Sequence, residues 1–407
     1  MPFLLLLYVV AYLDRINVGF AALQMKAQLH FSDTVYGLGA GIFFAGYFLF
    51  QLPSNLILYR VGPRRWICLL MVAWGIVSAS MMFVATARGF YTLRFLLGAT
   101  EAGFFPGVIL YMKNWFPAGV RARTSAVFMT AGPISGIIGG PVSGLLLGLD
   151  RLHGLAGWQW LFLMEGVPAI VLGAIVFFVL DDNPETARWL SVSQREWLVN
   201  TLRSEDAEAQ GEGNLSVFSA FGMPRVWLLA FVYFALNTAS YGISLWLPTV
   251  FHQASSFGIL ALGFITTIPY LFGAVTMILV GLHSDRTDER FWHVAIPAFV
   301  AAAALGAAGH GRSFALLVGC FAIAYAGVQC MTGPFWAISS RTIPGAAAPA
   351  GIALINSIGN LGSGLGPYAI GFVKTQSGSF QLALLLVATV LALGGIVVLY
   401  VRTFTAR

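Results

Sequence analysis

Charge is what this sequence has least of: Asp, Glu, Lys and Arg make up 9% of its 407 residues, against about 25% in an ordinary soluble domain. So few charges cannot clothe a water-exposed surface, which excludes a soluble globular protein. Cysteine is scarce too. Cys68, Cys320 and Cys330 sit inside apolar runs and none forms a CxxC pair, which argues against a disulfide framework or a thiolate metal site. The six histidines (30, 153, 252, 283, 293 and 310) make no HExxH-like spacing. No phosphate-binding loop and no nucleophile–base set is present, so neither an enzyme nor a metal or organic cofactor is expected. The formal charge of +6 does not imply a nucleic-acid partner, because the basic residues flank apolar runs.

Long apolar runs are what the chain does have. It is 58% apolar, with a mean hydropathy of +0.82, and its 33 Phe and 46 Gly suit helices packed closely in lipid. A span needs roughly 20 apolar residues. Twelve can be drawn: Pro2–Ala22, Tyr36–Tyr59, Trp66–Ala87, Phe90–Tyr111, Thr124–Leu149, Trp158–Leu180, Val226–Val250, Leu260–Leu282, Phe291–Gly309, Phe314–Ser339, Ala347–Val373 and Phe380–Val401. The opening Met1-Pro2-Phe3-Leu4 looks like a signal peptide but lacks a basic flank and a small-x-small cleavage site, so it reads as the first span. It starts almost inside the membrane, and a short leader is expected ahead of it.

One connection is long and hydrophilic, 181–224, with half of the 16 acidic residues. It divides the chain into six spans (1–180) and six spans (225–407). Fifteen of the 22 Lys and Arg fall in one alternating set of connections, five in the other, and Arg15 and Arg94 within spans. Basic loops face the cytoplasm, so both termini and the central linker are expected there, in a bacterial inner membrane. The triplet Asn214-Leu215-Ser216 then carries no weight as a glycosylation site. The halves echo each other. Gly132-Pro133 and Gly139-Gly140-Pro141 in the fifth span answer to Gly362, Gly366 and Pro367 in the eleventh. Two similar bundles around a midplane site are the layout of an alternating-access carrier.

Charges inside spans are the sharpest signal, since each costs roughly 2.5–3.5 kcal/mol at a helix centre. Asp14 and Arg15 lie in the first span, Arg94 and Glu101 in the fourth. Arg94, Gly98 and Glu101 share a helix face, whereas Asp14 and Arg15 point roughly 100° apart and can meet different partners. Arg15 lies on a stripe with Tyr8 and Tyr12; Phe44, Tyr47 and Gln51 form another in the second span. A buried Arg is a permanent, bidentate partner for a carboxylate, and a carboxyl in such a place can take up a proton. Together they suit proton–anion symport. The competing reading is a structural pair, Arg94–Glu101 or Asp14–Arg94, that merely neutralises itself.

The second half offers neutral polar stripes: Asn237, Tyr241 and Ser244; Gln329, Gly333 and Trp336; Asn356, Asn360 and Ser363. They could bind hydroxyls or a second carboxylate, or could be interhelical glue of roughly 0.6 kcal/mol each. Trp336 could equally be an interface aromatic. Glu165, toward the outer end of the sixth span, reads as structural. The glycine stripes Gly132, Gly136, Gly140 and Gly362, Gly366 read as packing motifs.

These residues carry a resemblance. Tyr12-Leu13-Asp14-Arg15-Ile16-Asn17-Val18-Gly19-Phe20-Ala21, Tyr47 with Pro53-Ser54-Asn55, and Arg94-Phe95-Leu96-Leu97-Gly98 running into Glu101-Ala102-Gly103-Phe104-Phe105-Pro106 are similar to the major facilitator superfamily. So are Trp115-Phe116-Pro117, Asn356-Ser357-Ile358-Gly359-Asn360-Leu361-Gly362 and Gly366-Pro367. Within that superfamily the chain resembles the anion:cation symporters, which include carriers for sugar acids, tartrate and phthalate. The likeness covers nearly the whole chain. It implies an all-α membrane protein with twelve transmembrane helices in two pseudo-symmetric bundles, working as a monomer on a small organic anion with the proton as coupling ion. It implies proton coupling through Asp14 and Glu101, and anion binding by Arg15 with Tyr12, Tyr47, Trp336, Asn356 and Asn360 near the solute; Arg94, the second buried cation, is expected to bind substrate as well. It also implies gating by Asp285 and Arg286. The acid usual before the first basic turn is replaced by Tyr59, so the inner gate is expected to depend on the second copy. The second-half pattern leans toward the tartrate-like branch. The rivals are an exporter of the same fold, against which the paired intramembrane arginines argue, and a non-transporting anion sensor, against which the short tails argue.

Overall fold

The computed structural model describes residues 1–187, 189–209, 221–309, 313–343 and 348–405, and among them every regular element is helical. The triplet at 214–216 and Ala347 lie outside the described residues, as do Arg188, His310, Arg312 and Arg407.

The first half runs α1 (Pro2–Gln28), α2 (Asp33–Val61), α3 (Pro63–Ser80), α4 (Ala87–Glu101), α5 (Phe104–Trp115), α6 (Ala118–Met129), α7 (Ala131–Leu147) and α8 (Gly157–Val179). The linker contributes α9 (Val192–Ala209). The second half runs α10 (Pro224–Gln253), α11 (Ile259–Thr287), α12 (Trp292–Ala308), α13 (Phe314–Thr342), α14 (Ala348–Ser377) and α15 (Phe380–Thr405).

Two expected spans are broken helices. Pro106 has no N–H for the carbonyl of Ala102, and α4 gives way to α5 there, directly after Glu101. Pro133 likewise leaves the Met129 carbonyl free, and α6 ends at Met129. Counting α4–α5 and α6–α7 as one span each, ten described spans are long and apolar enough to cross a bilayer. The 17-residue apolar α12 and α14, diluted by Gly, Ser and Asn, complete the expected twelve.

The bundles meet tightly at the end where α1 turns into α2. A Cβ on Gly37 of α2 would lie 2.7 Å from the Pro367 carbonyl of α14, and one on Gly364 would lie 2.9 Å from the Gly41 carbonyl. On the opposite side of the interface Gly140 and Gly144 of α7 press on Gly263 and Leu260 of α11. Small residues let backbones approach in this way where lipid offers no hydrophobic drive between helices. Tyr36 donates to the Leu245 carbonyl at 2.7 Å, and Thr34 donates to Thr375 at 2.8 Å. At the other end the first bundle has a core of its own, with Leu4, Leu7, Met71, Val108, Met112 and Val176. Val18, Ala21, Met25 and Tyr36 instead belong to the core of the second bundle. Leu52, Leu56 and Tyr59, on the far half of α2, are exposed. The molecule is therefore closed at the α1–α2 end and parted at the end bearing the termini.

Candidate functional site

Three helices of the first bundle bring the in-span charges together. Asp14, Arg94 and Glu101 are fully buried, and Arg15 keeps 8% of its surface. Asp14 and Arg15 do face different partners. Asp14 accepts from Ser78 Oγ at 2.6 Å and from Trp74 Nε1 at 3.2 Å, both on α3. Arg15 forms an ion pair with Glu101 across the α1–α4 contact, and its Nη1 donates to Tyr241 of the second bundle at 3.1 Å. Its guanidinium lies 5.0 Å from the Tyr12 ring, 5.4 Å from Tyr47 and 5.5 Å from Phe43. Such faces attract a cation strongly when water is scarce.

Among the described residues Arg94 makes no direct ion pair with Glu101 or Asp14, though its charge acts on both from a greater distance. It donates to the Gly39 carbonyl at 3.2 Å and the Ala40 carbonyl at 3.4 Å, with the Phe43 ring 5.0 Å away. The cation thus ties α4 to α2 one turn from the glycines that seal the bundles. Arg15 Nε, Glu101 Oε2 and Arg94 Nη1 are buried with no protein partner, and buried polar atoms are rarely left so.

The neutral residues lie across the interface. Trp336 packs edge-on against Tyr233 of α10, ring centres 4.9 Å apart, and Tyr233 covers Gly359 of α14. Asn356 and Asn360 are half-buried. They stand two turns and one turn before Gly364, on the stripe of α14 that faces α2 at the seal, so they look into the widening gap. No contact among the described residues joins this group to Arg15. Tyr241, two turns along α10 from Tyr233, is the link, and its neighbour Asn237 has an unpartnered amide nitrogen.

The proposed gate residues behave differently from one another. Asp285 pairs with Arg290 at 2.7 Å, while Arg286 is exposed. Asp288 takes the bond to α13, 2.7 Å from Arg341. That hydrogen bond and charge hold the Asp288 carboxyl below its usual range. In the first copy of the turn, where Tyr59 replaces the acid, Asp182 from the linker caps the Arg64 amide at 3.1 Å. Gly62, with φ +88, makes that turn possible. Sequence reading missed Trp74 and Ser78; their only signal was a pair of donors spaced four apart on an apolar helix.

With this geometry in hand, the likeness to known proteins is informative. The sequence matches the Major Facilitator Superfamily over residues 4–367. The chain belongs to the major facilitator superfamily. It is 48% identical over 400 residues to a protein of Agrobacterium vitis named "Putative tartrate transporter", covering 98% of this chain and 88% of that one. It is 40% identical to a "Quinolone resistance transporter" of Acinetobacter baumannii, over 97% of this chain and 91% of the other. It is 35% identical to the "Inner membrane transport protein RhmT" of Escherichia coli, over 98% and 93%. In fold it superposes on an inward-facing, occupied bacterial homologue of the lysosomal transporter Spinster, with TM-score 0.81, 17% identity and coverage of 98% and 96%. This major facilitator protein is a multi-pass secondary transporter for a small solute, as its family is, and stands among the anion:cation symporters rather than among enzymes.

Proposed function

We propose that the protein imports a small organic carboxylate, a hydroxy- or sugar-acid such as tartrate, together with protons. The observation that carries this reading is the Arg15–Glu101 pair, whose cation is, among the described residues, the partly open one in the span interior and reaches Tyr241 of the other bundle. A buried cation held by a carboxylate is a poor anion site. Once Glu101 takes a proton, the guanidinium loses its counter-charge and a substrate carboxylate can replace it. Substrate and proton then enter as one. Tyr12 and Tyr47 shape the pocket around Arg15; Tyr241, Asn237, Trp336, Asn356 and Asn360 meet the hydroxyls from the second bundle. Asp14 carries a second proton site, and Asp285 with Arg286 belongs to the gate.

We divide the chain at 1–180, 181–224 and 225–407, with the linker and both termini in the cytoplasm of a bacterium. The parted end is then the cytoplasmic one and the conformation inward-open. The Agrobacterium relative's name supports tartrate as the first substrate to try. The Acinetobacter relative's name favours a second reading, export, and quinolones themselves carry a ring carboxylate. Proteoliposomes with an internal pH dye separate the two. Adding tartrate outside at equal pH should acidify the lumen in step with tartrate uptake. Lumenal alkalinisation on adding a quinolone, with no response to tartrate, would establish the exporter.

A further inference from the structure

Glu165 has no part in the mechanism above, yet it is a carboxyl buried inside the first bundle, with 5% of its surface accessible. It sits on α8, where Gly166 packs on Gly75 and Ala79 of α3. That is the same stretch of α3 that supplies Ser78 to Asp14. Ser143 of α7 donates to Glu165 Oε1 at 3.3 Å, and no Lys or Arg pairs with it among the described residues. Three further polar atoms are buried without partners: Glu165 Oε2, Asn17 Oδ1 and Asn17 Nδ2. Asn17 faces this carboxyl and lies one turn above Asp14 on α1, on the same face. A structural carboxylate would be expected to have its lone pairs filled by protein donors. Here a carboxyl with one oxygen unpartnered and an amide turned toward it stand beside Asp14, in a polar niche suited to a bridging water. Of the groups facing Glu165 from α1, α3 and α7, Asp14 is the titratable one that acts on it; α7 carries none, and the arginines of α3, Arg64 and Arg65, are at its far end.

We propose that Glu165 is a proton-carrying residue of the transport cycle, passing its proton to and from Asp14 through the niche formed by Asn17 and Ser143. The proton leaves the Glu165 carboxyl as the Asp14 carboxylate gains it, and Glu165 is then reprotonated from the outer side, so each transfer balances and one proton enters the bundle. The placement, between Asp14 and the closed end, makes it the route by which Asp14 exchanges protons with the outer side. This rests on the proton-coupled reading above and adds a third carboxyl to it.

The test compares wild type, Glu165→Gln, Glu165→Asp and Asn17→Val in proteoliposomes, using labelled tartrate. Tartrate–tartrate exchange at equal pH should survive in Glu165→Gln, while uptake driven by a pH gradient falls by about tenfold or more, a loss of ~1.4 kcal/mol in the proton-coupled step. Glu165→Asp should restore part of it, and Asn17→Val, which leaves the carboxyl in place, should slow the same step. In substrate-free protein the infrared carbonyl stretch of a protonated carboxyl should titrate and be missing from Glu165→Gln, a readout independent of tartrate and of the variant's transport. Gradient-driven uptake and pH profile unchanged in Glu165→Gln, or no such band lost, overturns the proposal. Failure of the wider reading shows differently, as wild type itself transporting without proton flux.

Discussion

At the scale of single residues, the account turns on what each buried charge does when its partner is removed. Asp14 has hydroxyl and indole donors and, among the described residues, no cation in direct contact. Asp14→Asn can still accept from Trp74 with its amide oxygen and donate to Ser78 Oγ with its NH2, and it removes the proton site. It should abolish uptake driven by a pH gradient while leaving tartrate exchange measurable in the same vesicles. Arg15→Ala removes the anion anchor and leaves Glu101 without its ion-pair partner. The tartrate concentration for half-maximal exchange should rise by about tenfold or more, ~1.4 kcal/mol, and an unchanged value would exclude Arg15 from the site. The sequence made these four charges conspicuous because each is costly in a span. Which charge meets which was not legible. Arg94 and Glu101 share a face of one helix, yet Glu101 pairs with Arg15 and Arg94 turns to two carbonyls. Helical spacing fixes neighbours within an element and says nothing of the distance to the next. Trp74 and Ser78 escaped notice because an indole and a hydroxyl on an apolar helix look like core.

At the scale of elements, the closed end depends on glycine. Gly41 and Gly364 let α2 and α14 touch backbone to backbone, and the glycine stripes read from the sequence mark where this happens. Gly41→Leu forces the helices apart, and overpacking of that kind costs about 1–3 kcal/mol. Because the bundles part at this seam in the opposite conformation, the substitution should bias the protein toward it. Labelling of a single cysteine replacing Ala40, fully buried beside this seam, should rise by about tenfold in Gly41→Leu, and transport should fall; equal labelling would show that the seal does not rest there. The breaks after Glu101 and Met129 were less legible than the spans. Both segments were drawn as continuous, since the apolar pattern runs through, although Pro106 and Pro133 mark the lost hydrogen bonds.

At the scale of the whole molecule, one end is shut and the other parted, and a carrier of this kind works by exchanging those states around a fixed site. The Thr34 and Thr375 hydroxyls lie 2.8 Å apart across the shut end, which sets the two side chains side by side. In protein lacking Cys68, Cys320 and Cys330, the pair Thr34→Cys and Thr375→Cys should cross-link, stop transport, and regain it on reduction. Transport persisting in the cross-linked form would mean that this end need not open. The twofold plan of the molecule was readable from composition, loop charge and repeated Gly–Pro patterns. Which end is open was not, because both conformations bury the same spans and differ only in which seam is pressed together.

The pairing of Arg15 with Glu101 is tested most directly by the affinity for tartrate as a function of pH, measured on purified wild-type and Glu101→Gln protein. If Glu101 must be protonated before Arg15 is free, the wild-type dissociation constant rises with pH, approaching about tenfold per pH unit, and Glu101→Gln binds with much less dependence on pH. A wild-type affinity that does not change with pH, or a Glu101→Gln protein with the same slope as wild type, contradicts the account.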